Sequence, residues 1–288
     1  MDLRLDRLAT LYLVSPLRKV ALPQGLSIPI LMYHSITDED ESSRHAYYRT
    51  ATSPKVFAAQ MDCLHENGYK TCSLVQALDQ LQMETHGVAK PVVITFDDGF
   101  SDFLRHAFPA LNRNGFSATV FLPTAYIGES RLQFKGKDCL TWSEVRELQN
   151  HGVSFGSHTV THPQLSGLNA HAINEEIVNS KQTIEQKLGR AVESFAYPYA
   201  FPETEAEFTA KLRDSLCTAG YKNGVCTLLG RADQASDPFF MERLPINSCD
   251  DPQLFQAKLA GAYDWLAKPQ YFMKLAKKVA RAGSVQSL

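Results

Sequence analysis

PVVITFDDGF, residues 91–100, decides how the rest of the chain is read. VVITF (92–96) is a short unbroken apolar run, the pattern of a strand buried on both faces. It ends on two carboxylates, Asp97 and Asp98, and on Gly99, which permits a sharp turn out of the strand. FLRHAFPALNRNG (103–115) then reads as a helix and SATVFL (117–122) as the next strand. The alternation continues through TWSEVRELQNHG (141–152, helix, capped by Thr141 or Ser143), VSFGS (153–157, strand) and AHAINEEIVNSKQTIEQKLG (170–189, helix). SFAYP (194–198, strand), ETEAEFTAKLRDSLCTAG (203–220, helix), GVCTLL (224–229, strand) and MERLPI (241–246, strand) follow. Upstream, PILMYH (29–34) reads as a strand, and SPKVFAAQMDCLHENG (53–68) as a helix with Ser53 as cap, Pro54 in the first turn and Gly68 as stop. Strands alternating with helices predict an α/β fold of parallel units. About seven strands suffice for a closed barrel, whose working residues sit at the C-terminal strand ends. His34, Asp97, Asp98, His158 and Pro198–Tyr199 all fall at or just past such an end.

The bulk numbers narrow the function. The 288 residues allow one large domain or two small ones, with a sizeable core. A net charge of −2 gives no reason to expect a nucleic-acid partner. The six cysteines form no C-x-x-C pair and read as scattered thiols. Charges interrupt every apolar run of the first twenty residues, so no signal peptide is expected, nor any membrane-spanning helix. The expected location is the cytoplasm.

TFDDG (95–99) places adjacent carboxylates on different sides of an extended chain. One is then free to bind a metal while the other faces substrate or water; taken alone, the motif reads equally as a surface Asp-Gly turn. HTVTH (158–162) spaces two imidazoles to share one face of a helical turn, although a bare pair of this spacing is more often two polar loop residues. Two histidines and a carboxylate make a three-ligand catalytic zinc set with open positions, and Asp98 is the natural third ligand. Asp97 is then placed to take a proton from water.

TFDDG, GSHTVTHP and AYPYA, in that order, together with GFSATVFL and LTWSEVRELQNHG, resemble the polysaccharide deacetylase family, the NodB-type carbohydrate esterases. The resemblance covers roughly residues 28 to 250. It implies a distorted (β/α) barrel and metal-dependent removal of N-acetyl groups from sugars. It makes Asp97 the catalytic base, and Asp98, His158 and His162 the ligands of a divalent ion, zinc or its neighbours cobalt and nickel. Tyr199 matches the residue whose backbone N–H holds the oxyanion. Two positions depart from the pattern. The family's arginine three residues before the tyrosine is Ala196 here, and Arg243 in MERLPI is the candidate substitute, with a plain structural arginine as the alternative. The usual C-terminal Leu-x-His is missing, since no histidine follows His171. LMYHSI instead puts His34 after Leu31 and Tyr33, which resembles the circularly permuted branch that includes poly-N-acetylglucosamine deacetylases, so His34 is the expected acid.

The expected partner is an N-acetylated glycan: a polysaccharide, an oligosaccharide or a lipid-linked precursor. The rival readings are a hydrolase of another amide, such as a sugar formamide, and an inactive carbohydrate-binding barrel. Tyr197, Phe201 and Trp142 are candidates either for a sugar groove or for core packing. The expected domains are an N-terminal helical extension (1–27), the catalytic domain (28–250) and an amphipathic tail (251–288). In YFMKLAKKVAR (271–281), Phe272, Leu275 and Val279 share a helical face while Lys274, Lys277, Lys278 and Arg281 cluster elsewhere. The first twenty residues mix leucines with Arg4, Arg7, Arg18 and Lys19. Two readings stay open for these ends: peripheral contact with the inner face of the membrane, or docking on the barrel to cover its bottom.

Overall fold

A computed structural model describes residues 4–18, 25–83 and 90–285, with side chains given to Leu17 in the first segment and to Ala276 in the last. Seven parallel strands close on themselves: β1 (Ile30–Tyr33), β2 (Pro91–Phe96), β3 (Thr119–Leu122), β4 (Ser154–Ser157), β5 (Ser194–Ala196), β6 (Asn223–Leu229) and β7 (Met241–Pro245). Each pairs with the next, and β7 returns to β1 through Leu244↔Leu31. The barrel is uneven. β4 and β5 share only the Ser157↔Phe195 pairing, and β6 slips against β7 between Val225 and Leu229. Around it lie α1 (Pro54–Glu66), α2 (Leu74–Met83), α3 (Phe108–Arg113), α4 (Trp142–Asn150), α5 (Ala170–Leu188), α6 (Ala206–Thr218), α7 (Pro252–Leu259) and α8 (Ala267–Val285). This is the distorted (β/α) barrel that the family resemblance implies, built from the predicted alternation of strands and helices.

Alternate residues of each strand divide between two cores. Leu31, Tyr33, Ile94, Phe96, Val120 and Phe195 pack outward against the helices. Ile30, Val93, Phe121, Ala196, Val225 and Met241 fill the interior. Phe121 needs the glycine opposite it, because a Cβ on Gly156 would sit 2.5 Å from its ring. Tyr197, Phe201 and Trp142 are all buried, so they belong to the packing and not to an open groove.

The interior is plugged at the strand starts by α2, through Leu74, Ala77 and Leu81. This helix is absent from the sequence expectation, one of whose two readings of the chain ends has them cover the barrel bottom. The ends dock elsewhere. The N-terminal helical run (Leu5–Ala9, Thr10–Val14, Ser15–Arg18) meets the segment leaving β7. Arg4 donates to the Cys249 carbonyl at 3.0 Å, Arg7 pairs with Asp251, and Trp265 Nε1 donates to Thr10 Oγ1 at 3.0 Å. No described helix is long and apolar enough to cross a membrane. The side chains of Arg18, Lys277, Lys278, Val279 and Arg281, and Lys19 altogether, lie outside the described residues.

Candidate metal and catalytic site

Strand register assembles the site. Tyr33 pairs with Phe96, so the next residues, His34 and Asp97, leave adjacent strand ends side by side. The Asp97 N–H donates to the Tyr33 carbonyl at 3.0 Å, and His34 Nε2 lies 4.0 Å from Asp97 Oδ2. Arg243, on β7 across β1, grips Asp97 with both terminal nitrogens at 2.7 and 2.8 Å. Its Nε donates to the Cys226 carbonyl at 3.0 Å and Nη1 to Thr95 Oγ1 at 3.2 Å, so every arm of the fork is used inside the barrel. Burial pushes the Asp97 carboxyl up, but the Arg243 guanidinium, aided by His158 and His34, outweighs it and holds the group well below the usual carboxylate range.

Asp98 turns away from Asp97 through a left-handed backbone (φ 73°), and Gly99 continues the turn (φ 62°). Asp98 Oδ1 thereby lies 3.7 Å from His158 Nε2 and 3.3 Å from His162 Nε2. The three residues are buried, and their candidate ligand atoms lie within 4.8 Å of one another. His158 Nδ1–H donates to the Ala196 carbonyl at 2.8 Å, which fixes the tautomer and leaves Nε2 with a free lone pair. Burial depresses both imidazoles, to about 4 at His158 and about 3 at His162, so both are neutral donors at ordinary pH. Asp98 Oδ1, though buried, has no hydrogen-bond partner. A carboxylate oxygen left bare against two neutral imidazole nitrogens is a donor set that fits a divalent cation.

The histidines do not share a helical turn, as the spacing had suggested. HTVTH is a loop, bent by positive φ at Thr159 (68°) and His162 (56°). Glu176 of α5 accepts from the N–H groups of Val160 (2.7 Å) and Thr161 (2.9 Å) and from the Thr161 hydroxyl (2.6 Å). The Thr159 hydroxyl accepts from the His162 N–H at 3.0 Å. Fixed side-chain acceptors replace the helical ladder and turn both rings inward. Tyr199 is likewise left-handed (φ 59°); its carbonyl accepts from Thr227 Oγ1 at 3.0 Å, and its ring stands 4.6 Å from that of His162. Strained non-glycine residues thus concentrate around one point, as they do at working sites.

One further group at this point was not expected. Gln133–Phe134 and Lys137–Asp138 form a two-residue hairpin whose turn, Lys135-Gly136, has positive φ at both positions. It carries Lys135 over the site, with Nζ 3.2 Å from Asp98 Oδ2 and 4.6 Å from the Phe134 ring centre. The Lys-Gly turn was the available signal for the hairpin; its partner 37 residues away was not readable from the sequence. Glu176 was missed for the same reason. The structure therefore gathers His34, Asp97, Asp98, His158, His162, Tyr199 and Arg243 around one mouth, at the C-terminal ends of the strands.

Fold and site together define a (β/α)-barrel chain with a two-histidine, one-carboxylate donor set at its strand ends. The family model described as Polysaccharide deacetylase matches residues 85–223. YxkH of Bacillus subtilis, which carries the family's name, is 31% identical over 220 residues, covering 76% of this chain and 71% of that protein. The poly-beta-1,6-N-acetyl-D-glucosamine N-deacetylase of Escherichia coli is 32% identical over 144 residues, 45% of this chain and 20% of that longer protein. Among solved structures, the Streptococcus pyogenes deacetylase PplD in complex with acetate superposes with a TM-score of 0.72 at 25% identity, over 82% of this chain and 99% of that one. This chain belongs to the polysaccharide deacetylase family.

Proposed function

We propose that the protein is a metal-dependent deacetylase that removes acetyl groups from N-acetylated amino sugars of a glycan. The observation that carries the reading is the pair of adjacent carboxylates sent to opposite tasks. Asp97 is kept anionic by Arg243, while Asp98 is turned onto two neutral imidazoles. Asp98, His158 and His162 would hold the ion; zinc suits the donor set, with cobalt and nickel as neighbours. When bound, such an ion acidifies water and polarises an acyl oxygen.

The chain's own groups supply the rest. Asp97 takes the proton of the attacking water, and its fork-like contact with Arg243 fixes which lone pairs face the mouth. The Tyr199 backbone N–H donates to the developing oxyanion, and the Thr227 contact to the Tyr199 carbonyl anchors the same residue from the next peptide. His34, beside Asp97 and partly exposed at the mouth, gives a proton to the departing amine. Arg243 acts through Asp97 and touches no substrate. The likeness to the Escherichia coli enzyme supports poly-N-acetylglucosamine as the substrate class to try first.

The test pairs metal content with acetate release. Wild-type protein dialysed against trace zinc should retain about one ion per chain, and His158→Ala should lose it. Asp97→Asn should keep the ion and release no acetate from N-acetylglucosamine oligomers. A metal-free wild type, or full turnover by Asp97→Asn, would sink the proposal.

A further inference from the structure

The described side chains of the two terminal helices leave much of their apolar surface exposed. Leu13 and Leu17 on the N-terminal run are 64% and 71% exposed, and Phe272 and Met273 on α8 are 64% and 58% exposed. Leu5 and Tyr12 are exposed as well. The N-terminal run meets the turn just ahead of α8 through the Trp265–Thr10 hydrogen bond. An apolar surface of this kind on an otherwise well-packed chain marks a contact with something else.

Charge says what that is. Residues 267–285 contain Lys268, Lys274, Lys277, Lys278 and Arg281 and no acid. Asp6 and Asp264, the acids of the described helical ends on either side, are turned inward, Asp6 to Arg4 and Tyr263 and Asp264 to Arg231. Among the described residues no carboxylate of these segments is left unpaired, and of the cations Lys274 is itself paired with Glu203. Exposed aromatic and aliphatic side chains on a cationic helix complement an anionic lipid surface, where apolar burial and headgroup attraction act together.

The position of α8 matters too. Lys274 Nζ donates to the Phe201 carbonyl at 3.1 Å, two residues beyond Tyr199, and pairs with Glu203 at 2.8 Å. Gln270 Nε2 donates to the Tyr47 hydroxyl in the loop after β1. The helix is tied to two of the loops that leave the strand ends. We infer that the exposed apolar side chains of the N-terminal run and α8 dock the protein on an anionic lipid bilayer, with the barrel mouth beside the headgroups. Only one consequence, that a glycan held close to the bilayer reaches the mouth, rests on the deacetylase reading.

Flotation of the full chain with phosphatidylcholine vesicles, with and without phosphatidylglycerol, tests this. The wild type should float with the phosphatidylglycerol vesicles, less so at high salt, and not with phosphatidylcholine alone. Phe272→Glu with Met273→Glu, and separately Leu13→Glu with Leu17→Glu, should each weaken vesicle binding about tenfold or more while leaving the melting temperature unchanged. Absence of wild-type flotation, or equal flotation by both double variants, overturns the inference. So does a lipid-free dimer that the same substitutions dissolve, which would make a second copy the occupant. Acetate release from soluble oligomers in a protein that does not float would reject docking and leave the enzyme reading intact.

Discussion

Arg243 and Asp97 lie on strands separated only by β1, and their two parallel contacts of 2.7 and 2.8 Å are closed off from solvent, with Arg243 1% exposed. A buried pair of this kind is costly to break, because the surviving charge keeps its burial and loses its partner. Arg243→Met should therefore lower stability at neutral pH by about 3–5 kcal/mol, read by urea unfolding. The sign with pH follows from Asp97. Its folded value lies below the ordinary carboxylate range, so its stabilising contribution is complete above that range and is lost as pH falls through the folded value. With the guanidinium gone, burial loses its main opponent and raises the carboxyl. The acid limb of the activity profile should then move to higher pH in Arg243→Met, and an unmoved limb would remove Asp97 from the role of base.

Glu176 accepts three hydrogen bonds from the loop that carries the candidate ligands His158 and His162. Glu176→Ala leaves two loop N–H groups without acceptors and frees His162 to wander. Zinc affinity by calorimetry should fall about tenfold or more, the usual effect of removing an outer contact of a metal site. Unchanged affinity would show that the loop holds its shape without α5.

The barrel and most of its mouth could be read from local pattern because the fold is periodic. Apolar strands alternate with capped helices, and working residues follow strand ends. What could not be read depends on contacts distant in sequence. Lys135 reaches Asp98, Glu176 shapes HTVTH, and the chain ends settle beside β7 and not under the barrel. Helix α2 is a different case, since its signals were local. Ser73 Oγ accepts from the Gln76 N–H at 3.2 Å, and Gln76 returns the contact to the Ser73 N–H at 2.9 Å, a reciprocal cap ahead of Leu74, Ala77 and Leu81 at helical spacing. That cap was there to be found.

Because α2 closes the end of the barrel opposite the mouth, stability and metal binding should separate there. Leu81→Ala leaves a hole in the plug and should cost about 2–5 kcal/mol of unfolding free energy. Zinc affinity of the folded variant should stay within about twofold of wild type, since sites far apart without shared partners act independently. A large loss of affinity would mean that the plug sets the strand ends as well as the strand starts.

Ala196 occupies the place where the family pattern puts an arginine, and here it is buried in the barrel interior. Its carbonyl accepts from His158, and its strand neighbour across the register is Val225, next to the Cys226 whose carbonyl holds Arg243 Nε. The two arginine positions thus compete for one interior space and one carboxylate. Ala196→Arg alone should add a second buried guanidinium with no acid of its own and overfill the interior, costing several kcal/mol, about 3 or more. Arg243→Ala alone leaves Asp97 bare. Combined, the substitutions restore one cation to one anion at similar total volume. A double-mutant cycle in unfolding free energy should then show that the pair costs less than the sum of the singles by more than about 1 kcal/mol. Strict additivity would mean that an arginine at 196 cannot reach Asp97 in this barrel, and that β7 is the only strand from which this carboxylate can be held.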